Sequence, residues 1–270
     1  MQLDQGDFMS RFTDETYLLN EQYKTPSHLT QRATLHDRFS TSPRRWMLWL
    51  FDQYDLPNDA KILELGCGPG WLWKENLERI PEGWDIVLSD FSPGMLVQAR
   101  ENVAGRPCRF ERIDAQEIPF EDETFDAVFA NHMLYHVPDR SKAFSEICRV
   151  LKPGGFFYAA TNGKNHMQEL RDMVVTIQPD AYEELSTPNF GLENGAEQLS
   201  PYFGDVEVRL NEDALCVTAL DPLMDYVASG KRLTEPELDA VRNLAQRRLV
   251  EEGAIVIEKS VGVFIARKAT

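Results

Sequence analysis

The middle of the chain alternates short apolar runs with helical stretches. Four apolar runs, most of them followed by turn residues, are predicted strands, and a fifth, weaker candidate alternates in polarity: residues 62–65, 86–88, 125–130, 156–160 and 108–113. The stretches between them are predicted helices: residues 71–80, 93–102 and 140–151. Strand–helix–strand repetition at this spacing predicts right-handed crossovers and a parallel sheet with helices on both faces.

The N-terminal stretch, residues 1–58, is polar and helical in pattern and shows no strand pattern. Within it, Ser42 is predicted to cap a helix that has Pro43 in its first turn. The apolar residues that follow predict that this helix packs on the sheet. We therefore expect residues 1–58 to form a helical cover over the alternating core.

The C-terminal stretch, residues 164–270, breaks the alternation. Thr234 and Glu237 have the spacing of a capping box, and the helix after them should end near Gly253. The other predicted elements are helices over 165–176 and 194–202, a strand at 206–210, and over 255–266 either a strand pair or one long strand kinked at Gly262. The whole chain is expected to be one domain: cover (1–58), core (59–163), and helical insert with the final strands (164–270).

Composition narrows the classes of partner. Of the 270 residues, 43% are hydrophobic, which is enough for a full core, and 28 Lys and Arg against 44 Asp and Glu give a net charge of −16. Such an acidic chain should be repelled by nucleic-acid backbones and anionic membranes, so we expect neither as a partner. The four cysteines have no metal-ligand spacing, and we see no signal peptide or membrane-length apolar run. We expect a soluble, cytoplasmic protein, either a monomer or a homodimer.

A glycine-rich turn follows the first predicted strand directly, with Gly66, Gly68 and Gly70 at alternate positions. Such a turn lets the backbone approach a ligand closely. A dinucleotide site has the spacing G-x-G-x-x-G, whereas here the bulky Trp71 occupies the sixth position. In addition, Glu64 stands just before the turn, where a carboxylate suits a cationic amine better than a diphosphate. Both departures favour S-adenosylmethionine over NAD.

The segment resembles motif I of the class I S-adenosylmethionine-dependent methyltransferases, an acidic residue followed by G-x-G-x-G. Four further segments resemble that family in the same order: residues 88–96, 113–116, 125–132 and 149–155. The resemblance is closest to the branch that methylates small metabolites, the ubiquinone/menaquinone-biosynthesis-like methyltransferases (methyltransferase type 11). It implies a doubly wound, Rossmann-like α/β fold with a seven-stranded, mostly parallel sheet that has one antiparallel strand. It also implies S-adenosyl-L-methionine as methyl donor and S-adenosyl-L-homocysteine as product.

The resemblance also implies which core residues bind the cofactor. Asp90, 20 residues after Gly70, would accept both ribose hydroxyls. Asp114 would accept from the adenine amine and the Ala115 amide would donate to the ring, while Met95 is either core or an apolar cover for the adenine. The full set implied in the core is Glu64, Gly66, Cys67, Gly68, Asp90, Phe91, Met95, Asp114, Ala115, Gln116 and Asn131.

A basic run lies in the N-terminal cover. Residues 24–45 hold five Lys and Arg against one acid, within an otherwise acidic chain. The run is either a solvated helix face or a source of an arginine for the methionyl carboxylate of the cofactor. Tyr23 and Arg32 are the candidates for closing over that end of the cofactor.

Two histidines follow the fourth strand. His132 and His136 are four residues apart on a predicted short helix, so they should share a face at the sheet edge where active sites gather. Each is either a core or capping residue or a base beside the methyl acceptor, and the resemblance favours His136. A third metal ligand is not apparent nearby, so no metal is predicted.

Together these features predict methyl transfer to a small-molecule acceptor, most simply at an O or N nucleophile. An RNA or protein methyltransferase is the first alternative, but the sequence lacks a basic face or an Asn-Pro-Pro-Tyr-type motif after strand four. A non-catalytic S-adenosylmethionine-binding module is the second, and it would be expected to have lost Glu64, a glycine or Asp90. The acceptor pocket is expected within residues 165–253, with 190–192 among its lining.

Overall fold

The computed structural model describes residue 13 and residues 27–181, 189–230 and 233–270. A seven-stranded sheet runs through these described residues in the order β3-β2-β1-β4-β5-β7-β6. Its strands are β1 Lys61–Leu65, β2 Asp85–Ser89, β3 Cys108–Glu111, β4 Phe125–Ala130, β5 Leu151–Asn162, β6 Asp205–Val217 and β7 Ile255–Arg267. β7 pairs antiparallel with β5 and β6, and the other neighbouring strands pair in parallel, which confirms the predicted fold.

Helices connect the strands and cover both faces of the sheet. Those in the described ranges are α1 Ser27–Phe39, α2 Trp46–Phe51, α3 Trp71–Glu75, α4 Pro93–Asn102, α5 Arg140–Val150, α6 Gln168–Ile177, α7 Gly195–Leu199, α8 Leu220–Ser229 and α9 Glu235–Glu252. Two 3₁₀ turns, Leu77–Arg79 and Leu134–His136, follow α3 and β4. None of the described helices has the length and apolarity that crossing a membrane requires.

Local signals explain where several elements begin and end. The side chain of Ser92 accepts the Met95 amide and so caps α4, which has Pro93 at its start. The capping box predicted at Thr234 and Glu237 is present at the start of α9, and Gly253, with φ of 81°, ends it. These three boundaries lie where the sequence predicts them.

Two of the elements predicted before β2 differ from the structure. The helix predicted over 71–80 is divided, because Asn76 has a φ of −116° between α3 and the first 3₁₀ turn. Ser42 caps no helix: α2 begins at Trp46, and the Ser42 side chain bonds instead to the backbone of Arg44. The Ser42 amide donates to Asp213 on β6, so this segment anchors the connection between α1 and α2.

The end of the chain forms one long strand, which was one of the two predicted alternatives. β7 pairs with β6 from Ile255 to Arg267 and passes through Gly262. A Cβ at Gly262 would lie 2.6 Å from the carbonyl oxygen of Arg209 on β6, so only glycine fits this close approach.

The N-terminal cover is integrated into the core as far as the structure describes it. Leu35 and Phe39 of α1 are buried in a cluster with residues of α6, α8, α9, β6 and β7. Two other clusters fill the opposite faces of the central strands. Helix α1 therefore forms part of a third core rather than a separate layer.

Candidate active site

A large cavity opens at the carboxyl ends of β1, β2, β4 and β5. Its volume of about 1060 Å³ is at the upper end of the roughly 300–1,000 Å³ usual for small-molecule sites. The glycine turn forms one side, and residues of α1, α8 and β7 form the other. The cavity is large enough for a cofactor and a second small molecule.

The residues predicted from the sequence converge on this cavity. Among those the structure describes, all of them line it: Arg32, Glu64, Gly66, Cys67, Gly68, Asp90, Phe91, Met95, Asp114, Ala115, Gln116, Asn131, His132 and His136. Tyr23 lies outside the described residues. The role of each residue remains a prediction, but their assembly around one space is a property of the fold.

The glycine turn has the backbone geometry that the sequence predicts. Gly66, Gly68 and Gly70 have φ values of 66°, 55° and 72°, in the left-handed region that favours glycine. A Cβ at Gly66 would lie 2.7 Å from the Cβ of Met133, so no side chain fits there. The turn thus presents bare backbone to the cavity.

Asp90 is held rigidly opposite this turn. One carboxylate oxygen accepts the Gly68 amide at 2.9 Å, and the other accepts the Ser92 amide at 2.8 Å. Burial raises the pKa of Asp90 to about 6. Since each carboxylate oxygen has a second lone pair, the fixed group can accept two further hydrogen bonds from a ligand.

Glu64 is a buried carboxylate at the end of β1. The Trp73 indole donates to one of its oxygens, and the Asn131 amide donates to the other at 3.0 Å. Burial raises the pKa of Glu64 to about 7. A positively charged ligand beside it would favour its ionised form.

The Asn131 side chain links Glu64 to the hydroxyl of Tyr54, to which its amide donates at 3.1 Å. The Oδ1 atom of Asn131 is buried and has no hydrogen-bond partner in the described part of the chain. An unpartnered acceptor beside a buried carboxylate fits a ligand that brings N–H donors and positive charge. The residues present therefore fit the amino-acid end of S-adenosylmethionine.

The segment after β3 forms the far end of the cavity. Asp114 accepts the backbone amide of Gln116 at 2.8 Å, which orders the turn, and the Ala115 side chain is buried against the core. Met95 is 1% exposed and lines the cavity, so it belongs to both environments that the sequence left open. Phe91, at the other rim, carries the guanidinium of a neighbouring arginine over its ring. This end therefore combines apolar side chains with polar groups, as an adenine ring requires.

The two predicted histidines do not share a helical face. His132 has a φ of 56° and precedes the 3₁₀ turn Leu134–His136, so the predicted short helix does not include it. Its ring packs edge-on against Trp46, and burial lowers its pKa to about 4. His136 is the last residue of that turn, with its ring 4.5 Å from the ring of Tyr135. Both rings still line the cavity.

The described part of the basic run divides into two kinds of residue. Arg44 pairs with Asp52, and Arg45 pairs with Asp37, as a solvated surface would have them. Arg32 lines the cavity, and its guanidinium donates to the Ser229 hydroxyl at the end of α8 at 3.1 Å. Arg45 also borders the cavity, at its rim, but it is paired with two carboxylates, whereas Arg32 bonds to a hydroxyl and a carbonyl.

The sequence analysis missed much of the opposite wall, which His36, Trp46, His166, Tyr226 and Lys259 line. These residues come from α1, α2, the segment after β5, α8 and β7, and only the tertiary fold brings them together. The prediction that residues 190–192 line the pocket is wrong. Phe190 is fully buried in the core against Phe264 and does not reach the cavity.

Comparison with known proteins supports the interpretation of the cofactor side. Residues 63–159 match a protein family described as a methyltransferase domain. This segment is therefore similar to the methyltransferase domain of known S-adenosylmethionine-dependent enzymes. This family uses S-adenosylmethionine, which agrees with the fit of Glu64, Asn131 and Asp90 to that molecule.

Similar segments occur in curated methyltransferases of different names. The ubiquinone/menaquinone biosynthesis C-methyltransferase UbiE of Idiomarina loihiensis is 33% identical over 116 residues, 42% of this chain and 46% of that protein. Phosphoethanolamine N-methyltransferase 3 of Arabidopsis thaliana is 30% identical over 175 residues, 63% of this chain and 35% of that protein. The chain spans about half or less of the length of these curated relatives.

The fold of the methyltransferase domain also occurs in solved structures. Haemonchus contortus phosphoethanolamine N-methyltransferase 2, solved in complex with S-adenosyl-L-methionine, superposes with a TM-score of 0.60 at 21% identity. The match covers 96% of this chain and 60% of that chain. At this identity the likeness is one of fold, and the acceptor has to be inferred from the residues of the cavity.

Proposed function

We propose that this protein transfers the methyl group of S-adenosylmethionine to a small-molecule acceptor, at an oxygen or nitrogen nucleophile. The observation that carries the proposal is the cavity itself. One side of the cavity carries the fixed Asp90 and the buried pair of Glu64 and Asn131. The other side is formed by distant parts of the chain, and the space between the two sides is large enough for a second ligand.

Each residue predicted on the cofactor side, the part of the cavity from Glu64 to Asn131, would make one contact with S-adenosylmethionine. Glu64, which the Asn131 amide holds in place, would bind the amino group, and Asp90 would accept the ribose hydroxyls. The adenine would lie between Met95 and the 114–116 segment. Backbone at Gly66, Cys67 and Gly68, together with Phe91 and Gln116, would complete the contacts, and Tyr23 and Arg32 stay the predicted ligands of the methionyl carboxylate.

The chemistry asks little of the protein beyond positioning. S-adenosylmethionine supplies an electrophilic methyl group on a sulfonium, and the chain's task is to align an acceptor with it and keep water out. Trp46, Met133 and Tyr135 line the cavity next to the end of β4 and supply the apolar surface for that exclusion.

An acceptor that must lose a proton needs a base beside it. His136 is the proposed base, because it lies at the carboxyl edge of the sheet and lines the cavity. Burial lowers the pKa of His132 to about 4, so its protonated form is strongly disfavoured and it is the poorer proton acceptor.

A small-molecule acceptor agrees with three further observations. The chain has a net charge of −16, which opposes binding to a nucleic-acid backbone. The side of the cavity opposite the glycine turn, where the acceptor would bind, is recessed into the protein. The relatives named above are methyltransferases of a quinone pathway and of phosphoethanolamine by their names. We propose a cytoplasmic protein that works as a monomer or homodimer.

The test uses purified protein, methyl-labelled S-adenosylmethionine and a metabolite extract, with the variant Asp90→Ala as the matched control. Label is expected in small molecules that remain after macromolecules are precipitated, and the control should transfer far less. Label in the precipitated RNA or protein would contradict the small-molecule assignment. Tight cofactor binding with no transfer to any fraction would favour a non-catalytic binding module.

A further inference from the structure

Two histidines from distant parts of the chain form one wall of the cavity. His36 lies on α1 and His166 lies between β5 and α6, and their rings stack with centroids 6.0 Å apart and planes 16° from parallel. Tyr226 of α8 closes edge-on against His36, with ring centroids 5.8 Å apart. All three line the cavity, and none belongs to the segments that resemble the cofactor motifs.

The two nitrogen atoms of each imidazole lie in different surroundings. The Nδ1 atoms of His36 and His166 are buried and have no hydrogen-bond partner among the described residues. As whole residues, both histidines are half-buried, and both line the cavity. Their Nε2 edges are therefore the ones that a ligand can reach.

This arrangement selects a tautomer. Nδ1 has no partner in either tautomer, but an orphaned buried N–H donor is the rarer state in folded proteins, whereas a proton on Nε2 can bond to a ligand or to water in the cavity. Burial lowers the pKa of His36 to about 3 and holds that of His166 well below its usual value. Both rings are thus neutral and offer Nε2–H donors.

Two cations lie near the histidine wall, and both have partners. Arg32, one turn before His36 on α1, donates to Ser229. Lys259 of β7 lines the cavity and forms a buried salt bridge with Asp213. Five carboxylates line the cavity. Glu64, Asp90 and Asp114 lie on the cofactor side, and Asp37 and Glu75 lie at the rim, where both pair with Arg45. Among the described residues, the histidine wall therefore has donors and no carboxylate of its own.

We propose that the His36–His166 wall binds a carboxylate or another anionic oxygen group of the methyl acceptor, and so selects acceptors of that class over ammonium compounds. An ammonium group would meet two further donors at this wall and would lack a carboxylate to bond. The inference rests on the proposed function, because it places the acceptor in the part of the cavity that the cofactor leaves open.

The test measures binding by calorimetry on protein saturated with S-adenosylhomocysteine. The probes share one ring and differ in the attached group: benzoate, phenyl phosphate, benzyl alcohol and benzylamine. Benzoate or phenyl phosphate is expected to bind at least about tenfold more tightly than benzylamine, as charge-assisted hydrogen bonds would allow. The two anions separate a carboxylate site from a phosphate site.

Variants connect the preference to the wall. His36→Phe and His166→Phe keep a stacked ring and remove the donors, so each should reduce the anion preference to within about threefold, and His36→Gln should restore part of it. Thr34→Ala, on the same helix and in the lining of the same cavity but outside the wall, is the matched control and should keep the preference. Affinity for S-adenosylhomocysteine and melting temperature check that each variant is folded with its cofactor side intact.

Nitrogen-15 spectra of labelled histidine give a direct readout of the tautomer. His36 and His166 should carry the proton on Nε2, and benzoate should shift both signals. Benzylamine binding as tightly as benzoate, an unchanged preference in both Phe variants, or no probe binding to the loaded protein would each overturn the inference. Failure to bind S-adenosylhomocysteine, or to transfer methyl groups, would instead count against the proposed function.

Discussion

The two sides of the cavity are assembled from the chain in different ways. The cofactor side comes from the ends of β1 to β4, between Glu64 and Asn131, and each residue there lies at the end of a strand or in the segment that follows it. The acceptor side comes from α1, α2, α8, β7 and the segment after β5, which are separated by up to about two hundred positions. The first arrangement can be recognised from local sequence, whereas the second exists only in the folded protein.

The two sides also differ in electrostatics. Carboxylates define the cofactor side, where burial raises the pKa of both Glu64 and Asp90. Neutral histidines define the acceptor side, where burial lowers the pKa of His36 and His132. A positively charged cofactor and an acceptor without positive charge are the ligands that suit these two environments.

The largest expected effect falls on the acceptor side. His136→Ala should lower turnover by roughly 10²-fold or more, the usual size of a lost general base, while cofactor affinity stays nearly constant. His132→Ala should have the smaller effect, because burial already disfavours its protonated form. Turnover and melting temperature are measured on the same preparation. A lower melting temperature with an unchanged rate per folded molecule would make His136 a packing residue.

The next effect falls on the cofactor side. Asp90→Ala should weaken cofactor binding by about 1.5–3 kcal/mol, the usual range for hydrogen bonds to a charged group. Asp205→Ala, an exposed carboxylate at the start of β6, is the control and should bind normally. Calorimetry with S-adenosylhomocysteine measures both variants. Unchanged affinity in a folded Asp90 variant would remove Asp90 as the ribose ligand.

A smaller effect should appear in the pH dependence of cofactor binding. With pKa values of about 7 for Glu64 and about 6 for Asp90 in the free protein, S-adenosylmethionine affinity should rise roughly twentyfold from pH 6 to 8, of which about tenfold comes from Glu64, because the ionised carboxylates suit the positive ligand. Glu64→Gln should leave about a twofold change, since Asp90, with a pKa of about 6, is mostly ionised above that pH. An equal pH dependence in both proteins would contradict the assignment.

Glu64 should also make the stability of the ligand-free protein depend on pH. The folded pKa of Glu64 lies above its value of 4.5 in the unfolded chain, so the native state holds the extra proton between the two. Its contribution to the free energy of unfolding is complete below about pH 4.5 and is lost as pH rises through about 7. Glu64→Gln should flatten that part of the stability profile, as measured by denaturant unfolding.

Features that depend on neighbouring residues alone were predictable from the sequence, and features that depend on distant parts of the chain were not. Helix α4 lies where it was predicted, because Ser92 and Pro93 define its start within the segment itself. The sequence predicts a helix after β4, and this prediction is wrong. The left-handed φ of His132 depends on β5, whose backbone accepts the His132 amide, and no signal for that contact lies in the local sequence. Phe190 was predicted to line the pocket, since nothing in its own segment shows the core that buries it.

The histidine wall shows the same limit for the site. His36 and His166 are far apart in sequence and carry no motif, and their pairing depends on α1 packing against α8 and the end of the sheet. The link between Asp213 and the Ser42 amide helps to set that packing, and it too joins distant segments.

Calorimetric titration of the unmodified protein with S-adenosylhomocysteine and, separately, with NAD tests the central claim most directly. The carboxylates of Glu64 and Asp90 around a G-x-G-x-G turn predict saturable binding of S-adenosylhomocysteine to one site and no binding of NAD. Saturable binding of NAD, with no response to S-adenosylhomocysteine or S-adenosylmethionine, would contradict it.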